Sequence, residues 1–385
     1  MFSSRLDWSA QPNPISKLLQ AKREAGEVLL DLTESNPTRA GLVYPEDRIL
    51  AALADPRSLS YEPDPAGIQA ARSAVAEYYS GRVASEQILL TASTSEAYGY
   101  VFKLLADPGD QVLVPRPSYP LFEFLAALES VHPAEYPLVY DGGWRIDFDA
   151  LRRRVTERTR AIVVVNPNNP TGSFLKQAEL AELVELCRER QLALISDEVF
   201  SDYGFEEDAR RVRSLVGVQD VPTFVLSGLS KLVGLPQVKL GWIVVGGPAA
   251  VRGQAMDRLE LISDTYLSVG TPVQWAAGSL LGLRDQIQGQ ILDRVRRNRE
   301  FLACQIGTNS PWRVLDAEGG WYAVLEAPRI HSEEEWVLSL LGEDNVLVQP
   351  GFFFDFEREA YLVASLLTPP ETFREGIGRI LARVT

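Results

Sequence analysis

Short apolar runs punctuate the middle of the chain, at 88–90, 112–114, 162–165, 192–195, 224–226 and 242–245. Most lack the apolar–polar alternation of a half-exposed strand, so they read as strands covered on both faces. Helical periods lie between them, as at 95–106 and 175–190. Strand and helix in alternation predict an α/β unit with a largely parallel sheet. Before it, a helical pattern runs around Ile15, Leu18, Leu19 and Lys22, and 68–79 reads as an amphipathic helix started by two prolines and Gly67. After it, a helix starts near Pro272, and alternating patterns near 311–325 and 345–366 predict a small antiparallel sheet.

In a parallel sheet of this kind, ligands bind at the carboxyl ends of the strands. Five successive strand ends carry chemistry. The first run leads into Ser93, Thr94 and Ser95 at the start of a helix, where hydroxyls and free N–H groups suit an anion. The second leads into a proline-rich turn carrying Tyr119, an aromatic plate. The third leads into Asn-Pro-Asn-Asn-Pro-Thr-Gly at 166–172, whose amides can reach a ligand. The fourth ends on Asp197, a carboxylate that needs a donor or cation in apolar surroundings. The fifth passes Ser227, Gly228 and Ser230 to Lys231. Lysine is scarce in this arginine-rich chain: Lys17, Lys22, Lys103, Lys176, Lys231 and Lys239 are all of it. A partly desolvated amine among small residues has a lowered pKa and becomes nucleophilic.

Composition removes competing chemistries. Of 385 residues, 46% are hydrophobic and 23% charged, as in ordinary globular chains. A net charge of −14 argues against nucleic acid or an anionic membrane as partner. No apolar run is long enough to span a bilayer, and the first residues lack the apolar core of a signal peptide. Two cysteines, Cys187 and Cys304, point to a reducing cytoplasm. Two histidines, His132 and His331, leave little for histidine triads or a metal site. The phosphate-loop and dinucleotide glycine patterns are absent. An organic cofactor accounts best for catalysis with so little histidine.

The ordered set resembles the aspartate-aminotransferase family (class I/II), the fold-type I enzymes dependent on pyridoxal 5′-phosphate. Its carriers are the 166–172 stretch, Ser-Asp-Glu-Val-Phe at 196–200, the 227–242 loop, Tyr-Glu-Pro-Asp-Pro-Ala-Gly at 61–67 and Gln-Pro-Gly-Phe-Phe-Phe at 349–354. The resemblance implies a seven-stranded, mostly parallel sheet in a large domain at 45–270. It also implies a smaller α/β domain at 271–385 and an arm at 1–44 packed with it. It implies a transaminase moving an amino group from an amino acid to a 2-oxo acid. Lys231 would form the internal aldimine and then carry the substrate proton. Asp197 would keep the pyridine nitrogen protonated, Asn169 would touch the ring oxygen and Tyr119 would stack on the ring. Ser93, Thr94, Ser95 and a lysine-loop serine, Ser230 ahead of Ser227, would hold the phosphate. Tyr61 would reach the phosphate of a neighbouring subunit, which implies a homodimer with shared sites.

Three positions depart from the family pattern. Lys239 stands where the phosphate-binding arginine is usual, and offers charge without the bidentate fork. Phe200 replaces a tyrosine whose hydroxyl would donate to the ring oxygen. Val363 falls where an arginine usually grips the substrate carboxylate, with Arg39 and Arg358 as candidate substitutes. That third departure keeps a lyase, decarboxylase or cyclase open as an alternative. A cofactor-binding protein without turnover is a further one, which the retained lysine, aspartate and asparagine oppose.

Overall fold

The computed structural model describes residues 2–6, 11–307 and 310–383. Its strands in chain order are β1 (Leu30–Asp31), β2 (Ile88–Thr91), β3 (Gln111–Arg116), β4 (His132–Tyr140), β5 (Trp144–Ile146), β6 (Thr159–Val165) and β7 (Ala193–Asp197). There follow β8 (Thr223–Gly228), β9 (Gly241–Gly246), β10 (Arg313–Val314), β11 (Tyr322–Glu326), β12 (Val346–Leu347), β13 (Gln349–Pro350) and β14 (Tyr361–Ser365). All six apolar runs became strands of one sheet, in the order β2-β9-β8-β7-β6-β3-β4-β5. All but β9 and β5 point the same way. The α/β expectation therefore holds, with eight strands in place of seven. The eighth is β5, a three-residue edge strand folded back on β4.

The missing alternation in these runs has a direct cause. Successive strand residues enter opposite cores: Leu194 and Val225 pack on one face, Ile195 and Leu226 on the other. Both faces are covered by helices, so every position is apolar. The strand β4 escaped notice because its residues are mostly half-buried and include two prolines, Pro133 and Pro137.

The C-terminal part builds a four-stranded antiparallel sheet, β10-β11-β14-β13. The first segment of the chain joins it there. β1 pairs in parallel with β12. The helix Pro14–Glu24 packs on Glu333–Asp344, and Lys22 bonds Glu27 at 2.7 Å and Asn345 at 2.5 Å. The 22-residue helix Arg284–Gln305 connects the two sheets. Near its start, Gln288 Nε2 donates to the carbonyl of Leu232 at 2.7 Å. Further on, Asn298 Nδ2 donates to the carbonyls of Leu366 and Thr368. Among the described residues, no helix is long and apolar enough to cross a membrane.

Candidate active site

The strand β8 runs into a single helical turn, Leu229–Leu232. One turn is too short to hold itself. It is pinned from outside: Tyr203 Oη donates to the carbonyl of Lys231 at 2.6 Å, and Gln288 holds the next carbonyl. Lys231 Nζ lies 5.0 Å from the ring centre of Trp321 and 5.8 Å from that of Phe200. Burial lowers this amine to about 8, and the nearby Asp197 charge only partly opposes the shift. At that value about a tenth of the amine is neutral at pH 7, far more than for an ordinary lysine, and the neutral form is the nucleophile.

Asp197 ends β7 and is buried. Its oxygens have separate donors, Val199 N–H on Oδ1 at 3.2 Å and Tyr98 Oη on Oδ2 at 3.1 Å. Burial lifts its carboxyl to about 6, against the pull of these hydrogen bonds and of Lys231. Tyr119 stands beside it, its phenol raised by burial and by the Asp197 charge. The next residue, Glu198, turns to the other face, where it accepts from Ser196 Oγ and Leu215 N–H, both at 2.8 Å. Burial pushes Glu198 up to about 7.

Both acids bind protons more tightly folded than unfolded. Their stabilising contribution is therefore complete below about pH 4 and is lost as pH rises through 6 and 7. Urea unfolding of the cofactor-free protein should give a lower stability at pH 8 than at pH 5. Glu198→Gln should remove on the order of 1–3 kcal/mol of that difference. An unchanged pH dependence in the variant would contradict the assignment.

Two asparagines of the 166–172 loop have different fates. Asn166 is consumed by structure: its Nδ2 donates to the Val212 carbonyl at 2.8 Å and its Oδ1 accepts from Leu175 N–H at 2.9 Å. Asn166→Ala should cost about 1–3 kcal/mol, read as a lower urea midpoint, because two buried groups lose their partners. Asn169 is buried too, yet its Oδ1 has no partner. The loop closes on Gly172, at φ +69°, where a Cβ would collide with the Gly319 carbonyl oxygen.

The helix start at Ser93 lies where β2 and β8 end and β9 begins. Ser93 caps the helix Thr94–Leu105, accepting from Glu96 N–H at 3.2 Å. The amides of Thr94 and Ser95 come first in that helix and have no acceptor within it. At Gly241, a Cβ would lie 3.0 Å from the Ser93 carbonyl carbon and 3.1 Å from the Ser227 carbonyl oxygen. That closeness joins the helix start to the lysine loop. Ser227 is buried with an unpartnered Oγ, while Ser230 is partly exposed. Lys239 caps the turn Pro236–Val238 in a left-handed conformation and is exposed in this chain. Tyr61 is 75% exposed.

The small sheet supplies the opposite wall. Phe200 packs edge-on against Trp321 at 5.2 Å and stands near Tyr322 at 6.5 Å. Tyr203 does not replace the missing tyrosine hydroxyl, since it bonds the Lys231 backbone. Val363 lies in a closed apolar cluster with Trp144, Leu315, Val324, Phe354 and Phe356. Arg39 and Arg358 are both exposed. Tyr322, pushed up to about 12 mainly by burial, faces Ser35, Tyr119 and Glu34. Sequence reasoning missed Tyr98, Trp321 and Tyr322. The alternation of β11 and the helical period four residues after Thr94 were the signals that could have found them.

The sequence matches the family description "Aminotransferase class I and II" over residues 27–380. The chain belongs to that family. It is an enzyme of the transferase class and moves amino groups; the lyase alternative is not favoured. The aminotransferase is 28% identical over 357 residues to the glutamate-pyruvate aminotransferase AlaA of Escherichia coli (strain K12), covering 89% of this chain and 87% of that protein. An alanine aminotransferase of Mycobacterium bovis is 30% identical over 357 residues, covering 89% and 82%. The solved alanine aminotransferase of Pyrococcus furiosus superposes with a TM-score of 0.88 at 25% identity, covering 100% of this chain and 99% of that one. Members of the family work with pyridoxal 5′-phosphate.

Proposed function

We propose that this aminotransferase uses pyridoxal 5′-phosphate, held at Lys231, to transfer an amino group from an amino acid to a 2-oxo acid. The observation that carries the reading is the pairing of a desolvated amine, Lys231, with a buried carboxylate, Asp197, each the charge partner of the other. The surrounding groups suit such a cofactor. Asn169 keeps an uncommitted amide oxygen, Tyr119 offers a ring beside Asp197, and the Ser93–Ser95 helix start meets the lysine loop at Gly241. Ser93, Thr94, Ser95 and Ser230 would hold the phosphate, with Lys239 adding charge at its edge.

The cofactor, when bound, supplies the electron-withdrawing ring that makes the substrate Cα–H acidic. Asp197 would hold a proton on the nitrogen of that ring. Lys231 Nζ would take the proton from substrate Cα and pass it on, and a pKa near 8 lets it both accept and release that proton. Trp321 and Phe200 cover the amine and keep water from it.

A homodimer with shared sites also belongs to this reading. An aromatic side chain as exposed as Tyr61 suits a contact across subunits. The division into 1–44, 45–270 and 271–385 belongs here too, supported by the β1–β12 pairing and by the connecting helix Arg284–Gln305. A cytoplasmic location fits the thiols, which are both unpaired.

Purified protein supplied with pyridoxal 5′-phosphate should absorb in the visible, and amino acids should discharge that band with release of the matching 2-oxo acid. A band that no amino donor discharges would sink the reading.

A further inference from the structure

Asp197 is gripped on both oxygens by different elements. Val199 N–H comes from the loop just beyond β7, whereas Tyr98 comes from the helix Thr94–Leu105 across the sheet end. Tyr98 lies four residues after Thr94, on the same helix face. One helix therefore presents its anion-binding start and, one turn on, a phenol aimed at the carboxylate. The phenol has no freedom to leave. Tyr98 is buried, with its ring edge-on to Phe122 at 5.5 Å and tilted against Phe102 at 5.8 Å. Burial and the Asp197 charge raise the phenol well above its ordinary value, so it stays protonated and donates. The other groups bearing on the carboxylate are Lys231 from the turn after β8 and Tyr119 from the turn after β3.

We propose that Tyr98 is a positioning residue for Asp197: its hydroxyl fixes the rotation of the carboxylate and favours the ionised form, so the Tyr98–Asp197 pair sets the acid limit of catalysis. Burial alone drives this acid towards the neutral form, in which it could not hold a proton on a ring nitrogen. Two donors counter that drive, and Tyr98 is the one a substitution can remove. The proposal rests on the reading that Asp197 faces the cofactor ring.

The test is Tyr98→Phe, which keeps the ring and deletes the donor. In the loaded enzyme, the acid limb of kcat should move up by about one pH unit, for a lost hydrogen bond of about 1 kcal/mol. Activity should fall about five- to tenfold at pH 6 and less than about twofold at pH 9, with KM little changed. In the cofactor-free protein, carbon NMR of the aspartate carboxyls should show the Asp197 titration shifted upward. Asp197→Asn identifies that resonance. A uniform loss across pH, with the Asp197 titration unmoved, would make Tyr98 a core residue only and overturn the proposal. Failure of the underlying reading looks different: Asp197→Asn would then retain full activity, whatever Tyr98→Phe does. In the Asp197→Asn background, Tyr98→Phe should have no further effect on the pH profile.

Discussion

Lys231→Ala should abolish amino-group transfer, lowering kcat by at least about 10³. Three features support so large a loss. On the proposed reading Nζ is both nucleophile and proton carrier, so one substitution would remove two functions. Lys231 is the one amine that acts on Asp197, and no other lysine is placed to step in. Its turn is held through backbone carbonyls by Tyr203 and Gln288, which the substitution leaves intact. The variant should therefore fold, with a urea midpoint close to that of the parent. Rates with saturating amino donor, and borohydride reduction followed by peptide mass analysis, check the result. The parent should carry the reduced cofactor on the peptide containing Lys231, and the variant none. Lys231→Arg should be as inactive, because a guanidinium does not lose its proton in this pH range. Activity retained by either variant would refute the role of the amine.

Asp197→Ala comes next in size, with a fall of about 10²–10⁴ in kcat. On the proposed reading the carboxylate stabilises a positive ring, which a methyl group cannot do. Removing it also leaves the Val199 amide and the Tyr98 hydroxyl without their acceptor. Some of the loss in cofactor affinity would come from that disorder. Asp197→Asn separates the two effects, since it keeps the shape and removes the charge. Its kcat should drop nearly as far, while cofactor binding, followed by equilibrium dialysis, should weaken less than in the alanine variant. Lys231 would also titrate lower in both variants, because Asp197 is the charge that holds its proton on. Mass-detected labelling of the amine against pH reads that shift.

The strand ends were the most legible part of this chain. Each strand is short and apolar, so its end is sharply marked, and the topology then fixes where Asp197 and Lys231 must lie. Asn169 could be singled out by motif, although only the structure explains why Asn166, three residues away, is not the free one. The hidden parts are contacts between elements distant in sequence. Tyr98 looks like any helix-core aromatic until β7 brings Asp197 to its hydroxyl. Trp321 and Tyr322 come from the other sheet, and no local pattern says that they face Phe200. The edge strand β5 was too short to register. Val363 illustrates the reverse case: the sequence flagged the position, and burial in an apolar cluster explains why a valine is at home there.

One strand out of order in the sheet has a consequence for how the protein is made. β2 touches β8 only through β9, which runs against both. The strands that lead to the serines near residue 93 and to the loop of Lys231 are thus joined into one sheet only once residue 246 has left the ribosome and β9 has slid between them. A nascent chain halted before that point would carry both segments without the strand that sets them side by side, so on the proposed reading the phosphate site would be completed late in synthesis.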